Sequence, residues 1–204
     1  MGASSQFPLA LPKSYSVAPP PLPTERTLVA IHRVIQAQPF KARDEINSFF
    51  NSQAGRQAIE DREPHGTWAR AQSLAYDAWE AELPQRYALA RDALQVDPRC
   101  SDAWLILAEE ERSWLKQKRL FERAVAAAEQ ACADEGWMVS HDGGQAELVG
   151  NGTRPYLRAH MTLARCLLDG GYYAEAAVHF ETVLRLDNSL AWLRAKAAEG
   201  GGRS

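Results

Sequence analysis

The sequence predicts an all-α fold in which right-handed helical hairpins stack into a solenoid. Three observations lead there. Residues 67–98, 101–134 and 157–188 share one order of small and apolar positions: Leu74, Ala90, Ala93 and Pro98 in the first, Trp104, Leu107, Ala108, Leu120, Ala124 and Ala127 in the second, and Leu163, Ala164, Tyr173, Ala176, Phe180, Val183 and Asn188 in the third. The step from Thr67 to Ser101 is one repeat of about 34 residues, the length of a helix–turn–helix unit. Within each stretch the apolar residues recur at helical spacing, as in Trp68, Ala71, Leu74, Ala75, Ala78 and Trp79. Small residues where two helices meet let their backbones approach.

The elements follow in chain order. Residues 1–23 are rich in Pro and Ser and end in Ala18-Pro19-Pro20-Pro21-Leu22-Pro23; prolines donate no backbone hydrogen bond, so a disordered tail is expected. Residues 24–66 form an N-terminal helical segment. Thr24 is placed to cap a helix over 25–36, and Ile46, Phe49 and Phe50 share one side of a second over 43–52. Residues 67–199 form the repeat domain. Its first hairpin pairs a helix over 67–82 with a partner that starts at Pro84, a tolerated first-turn position. The second pairs 101–115, capped by Ser101, with 117–134. Glycines crowd 136–155, so an inserted loop is expected there. The last hairpin pairs 156–168 with 172–186, a closing helix spans 189–198, and 200–204 is a flexible end.

Bulk properties exclude several functions. Net charge is −3 over 204 residues, which gives no general attraction to nucleic acid or anionic lipid. No apolar run has membrane-spanning length, and no apolar core follows a basic start, so a cytoplasmic location is expected. Cys100, Cys132 and Cys166 are odd in number and widely spaced, which fits neither a disulfide framework nor a zinc site.

The repeat grammar resembles the tetratricopeptide repeat, most closely at residues 157–188. Longer phrases, Ala71-Gln72-Ser73-Leu74-Ala75-Tyr76-Asp77-Ala78-Trp79, Asp102-Ala103-Trp104 and Thr153-Arg154-Pro155-Tyr156, resemble tetratricopeptide proteins of the suppressor of tumorigenicity 7 group. That resemblance implies a helical repeat fold and no particular enzymatic activity. The run Leu186-Asp187-Asn188-Ser189 leaves the pattern of those relatives, which implies a shortened or diverged member.

In tetratricopeptide proteins the first helix of each hairpin lines the concave face. Those positions here are Trp68, Ala71, Ala75 and Ala78, then Asp102, Leu105, Glu109 and Arg112, then Arg158, Met161, Arg165 and Leu168. The expected protein-binding groove is Arg158, Met161, Arg165, Leu105, Glu109 and Arg112. Arg158 and Arg165 lie about two turns apart on one side and suit an acidic motif. The carboxylate clamp of some chaperone-binding relatives is not expected, because Ala71 and Ala75 stand where it needs Lys and Asn. No nucleophile elbow, phosphate loop or zincin helix occurs. His141-Asp142 and the pair His160 and His179 are the residues nearest to a metal or acid–base site. The sequence therefore predicts a scaffold or adaptor that binds another protein, with no catalytic residue, metal or cofactor. Two alternatives stay open: an enzyme or metal-binding protein using 136–155, and a shortened structural protein that oligomerises.

Overall fold

The computed structural model describes residues 18–21, 24–60, 66–140, 146–148 and 153–186. These residues form an all-α fold with one short ribbon. The N-terminal segment carries α1 (Glu25–Ala37), α2 (Arg43–Asn51) and α3 (Gln53–Glu60). Then come α4 (Thr67–Glu80), α5 (Gln85–Val96), α6 (Ser101–Glu110), α7 (Trp114–Asp134), α8 (Thr153–Asp169) and α9 (Tyr173–Leu186). From α4 onward each helix packs on the next, and α4 also touches α6, as α6 touches α8. The alanines of the repeat pattern sit at these crossings: Ala90, Ala93, Ala108, Ala124 and Ala164 have no exposure at all. Phe121, Leu105 and Ile106 fill the spaces between helices, and burying each such side chain contributes about 1.5–3 kcal/mol.

Two helix ends are fixed by glycine. Gly171, at φ +80°, lets its own N–H reach the Leu168 carbonyl (3.0 Å) and the Tyr172 N–H reach that of Leu167 (2.9 Å). This left-handed cap turns α8 back into α9. Gly136, at φ +67°, ends α7 the same way, with Trp137 N–H on the Cys132 carbonyl at 2.9 Å. Trp137 then meets Trp68 edge to face, with ring centroids 4.5 Å apart.

A partly buried ion pair fixes the turn between α5 and α6. Asp97 accepts from Thr67 Oγ1 (2.9 Å), from the Arg99 backbone N–H (2.9 Å) and from Arg99 Nη2 (2.7 Å). Arg99 also donates to Asp134 and Glu135 at the end of α7. Burial pushes the Asp97 carboxyl up, but these hydrogen bonds outweigh it and hold the group below its ordinary range.

Several expectations need correction. The boundary expected near Leu115 lies earlier: α6 ends at Glu110 and α7 starts at Trp114. Starting α7 there buries the Trp114 indole, which donates to the Cys166 carbonyl and stacks on Tyr172. The insertion is partly regular. β1 (Met138–Ser140) pairs antiparallel with β2 (Ala146–Leu148), and α8 already begins at Thr153. Pro155 is accommodated in the first turn of α8, where its missing N–H has no helical partner to lose. Thr24 and Ser101 make no side-chain caps, and Ser101 is the first residue of α6. Ala18, expected in a disordered tail, is buried in the main core. The closing helix over 189–198, the 200–204 end, His141-Asp142 and most of 1–23 lie outside the described residues.

Candidate functional site

The most concentrated chemistry lies where α1 meets α4, α6 and α8. Gln72 is a lone amide among the alanines of α4, and its Nε2 donates to Asp102 Oδ2 on α6 at 2.6 Å. Asp102 is completely buried, and both its oxygens accept from Arg158 Nη1 on α8, at 2.7 and 2.6 Å. Arg158 Nη2 then donates to Glu25 Oε2 of α1 at 2.5 Å. The other Glu25 oxygen accepts from the Tyr76 hydroxyl at 3.1 Å. Side-chain exposure is 7% for Arg158 and 2% for Glu25.

One cation thus faces two carboxylates out of reach of solvent. Burial works against the Arg158 charge, but Asp102 and Glu25 outweigh it and raise the guanidinium above its ordinary range. Burial, followed by the charges of Glu25 and Asp102, also pushes the Tyr76 phenol up, which keeps it a hydrogen-bond donor. The Cys100 thiol donates to Gln72 Oε1 and is raised by the same burial, so it is no nucleophile. Beside this cluster Arg26 donates to Asp77 Oδ1 (2.7 Å) and to the Ser73 carbonyl (3.3 Å), with its guanidinium 5.4 Å from the Tyr76 ring centroid. The arrangement holds a carboxylate between a guanidinium and a phenol, with a cation beside it on an acidic residue.

The six expected groove residues do not form one surface. Leu105 is wholly buried, and Arg158 is spent on Asp102 and Glu25, so neither faces a partner as expected. Glu109 is nearly covered and turns to Arg86 of α5 at 3.4 Å. Burial raises its carboxyl, and Arg86 partly offsets that. Arg112 lies exposed in the short turn between α6 and α7. Met161 is half-buried and Arg165 exposed on α8, where Leu168 is exposed too. Glu25, Gln72 and Tyr76 were not singled out by sequence. Gln72 and Tyr76 carried the one available signal, polar atoms within an apolar helix stripe; Glu25 reads as an ordinary acid in a first helical turn.

The two histidines meet. His160 Nδ1 lies 3.0 Å from His179 Nδ1, one ring donating and the other accepting, while Glu129 Oε1 is 3.7 Å from His160 Nε2. Burial, then the neighbouring His179, lowers His160 to about 4, and burial lowers His179. Among the described residues no group of three or more His, Cys, Asp or Glu is arranged to hold a metal. The three cysteines are free and buried, and burial raises Cys132 to about 12 and Cys166 to about 11. Among the described residues no helix is long and apolar enough to cross a membrane. No protein-family model matches this sequence, and no curated protein or solved structure is significantly similar to it.

Proposed function

We propose that this chain is a protein-binding scaffold, a tetratricopeptide-like stack of hairpins whose first helices receive a segment of another protein. The observation that supports the reading is the order of packing: α4 touches α6 and α6 touches α8, while α5 and α7 pack both on their own hairpin partner and on the helix that follows, and α9 packs on α8. Side chains that bridge this row, Gln72 to Asp102 to Arg158, hold the three helices in register. Along α8 beyond Arg158, Met161 is half-buried and Arg165 and Leu168 come out to solvent. Such a stripe suits a partner with an apolar anchor and an acid for Arg165, joined by burial and a charge-assisted hydrogen bond. The chain's near-balanced charge favours a protein partner over nucleic acid or anionic membrane. Affinity capture with mass spectrometry tests the reading. The wild-type chain is expected to retain a partner that a Met161→Glu, Arg165→Glu chain with unchanged helical content releases. Equal recovery by both chains would remove this face from the function.

A further inference from the structure

α1 stands apart from the helices it covers. Its buried apolar residues, Ala30 and Val34, do not belong to the core shared by α4 to α9, and the helix packs on α3. Two adjacent side chains, Glu25 and Arg26, hook it to α4 and α8. Beyond that hook a cleft of about 320 Å³ opens between α1 and the start of α8; α1 supplies most of its wall, from Glu25 to Ile35 and including His32, against Thr153 and Arg154 of α8. Leu28 is 44% exposed above it.

The polar groups of the receiving side are held without α1. Asp102, itself held by Gln72, fixes the Arg158 guanidinium from the side opposite Glu25. If Glu25 leaves, Arg158 and Asp102 remain as a one-to-one pair, and Arg158 Nη2 and the Tyr76 hydroxyl point at a vacated carboxylate position. Asp77 and the Ser73 carbonyl do the same for a cation. A site whose donors are already fixed loses little in ordering them when a ligand arrives.

We propose that this face is a receptor for a helix whose first turn carries an acid followed by a base, and that α1 is its resident occupant, exchanged for a matching helix of another protein. The proposal rests on the scaffold reading and adds the partner's chemistry: an acid for Arg158 and Tyr76, a base for Asp77, and apolar residues one to three turns on in the places of Leu28, Ile31 and Ile35, which wall the cleft. The scaffold is then self-covered until such a helix competes.

Fluorescence polarisation with a labelled synthetic peptide of residues 24–37 tests this on the full chain. A Glu25→Ala, Arg26→Ala chain has lost its own hook and keeps the receptor. It is expected to bind the peptide at least about tenfold more tightly than wild type, because a competent state populated one time in ten weakens apparent affinity by that factor. Glu25→Gln alone, the milder change, is expected to give about four- to eightfold. A peptide with Gln in place of Glu25, or a hookless chain that also carries Tyr76→Phe and Asp77→Asn, should lose most of the gain. Equal binding to wild-type and hookless chains, no binding to either, or indifference to the peptide's acid overturns the proposal. So does unfolding of both hook variants, which would make α1 part of the core. Peptide exchange together with partner capture indifferent to Met161 and Arg165 would keep the exchange and remove the scaffold reading; the reverse result would remove the exchange alone.

Discussion

Replacing Arg158 by Met keeps an unbranched apolar stem on α8 and removes the charge that Asp102 and Glu25 share. Three charge-assisted hydrogen bonds disappear, at 2.5, 2.6 and 2.7 Å. Asp102, with no exposure, is left with the Gln72 amide, and Glu25, at 2%, with the Tyr76 hydroxyl. Single charge-assisted bonds are worth about 1.5–3 kcal/mol each, but bonds to one shared group do not add. The governing cost is that of two carboxylates stranded without a cation, which lies at about 3–5 kcal/mol when one partner of a buried pair is removed. That is a large share of the roughly 5–15 kcal/mol by which domains are stable. Urea unfolding at neutral pH, followed by circular dichroism, should show a lower midpoint at unchanged slope. Adding Asp102→Asn and Glu25→Gln to Arg158→Met should recover most of the loss, since no unpaired charge then remains. Glu25→Gln alone should cost only about 1–2 kcal/mol, because Arg158 keeps Asp102. A loss below about 1 kcal/mol for Arg158→Met, the range of exposed ion pairs, would refute the burial and the pairing together. A full loss with no recovery in the triple variant would assign the effect to the arginine stem instead.

Three further outcomes follow from local geometry. His160 and His179 are neutral when folded and ordinary when unfolded, so stability from this pair is complete above about pH 6.5 and falls as pH drops toward 4; His160 contributes at most about 3 kcal/mol of that fall. Melting temperatures measured across this window should decline less steeply for His160→Gln, and identical slopes would contradict the paired geometry. A Cβ on Gly170 would sit 2.3 Å from Trp114 Cζ2, and the indole is held by Cys166 and Tyr172, so Gly170→Ala should cost about 1–3 kcal/mol in the same urea assay; an unchanged midpoint would show the ring free to move. Asp97→Ala should cost about 2 kcal/mol by removing the acceptor common to Thr67 and Arg99, more than Asp97→Asn, and the opposite order would contradict this role.

The helical hairpins were largely legible in sequence because their signals are local. Alanines spaced along α4, α5 and α8 marked crossings that are indeed buried. What stayed hidden depends on distance in the chain. The break between α6 and α7 falls at Glu111-Arg112-Ser113, with no Gly or Pro, and is set by where Trp114 finds Cys166 on α8 and Tyr172 in the turn that follows it. Arg158 reads as a solvated cation at a groove position, and nothing near it in sequence reveals Glu25, whose separation is 133 residues. Asp102 looks like a routine acid near a helix start, where such charges favour the dipole, although it is buried. Leu105 sits at a position assigned to a groove by resemblance, but its apolar side chain gains more by facing the core.

The central claim is that α1 is joined to the row of α4, α6 and α8 through the bond between Glu25 and Arg158. A double-mutant cycle over wild type, Glu25→Gln, Arg158→Met and the combined chain, read as unfolding free energies, measures that bond directly. The predicted coupling is at least about 1 kcal/mol, as for residues in one buried network. Additivity to within about 0.3 kcal/mol would place the two residues apart and contradict the account.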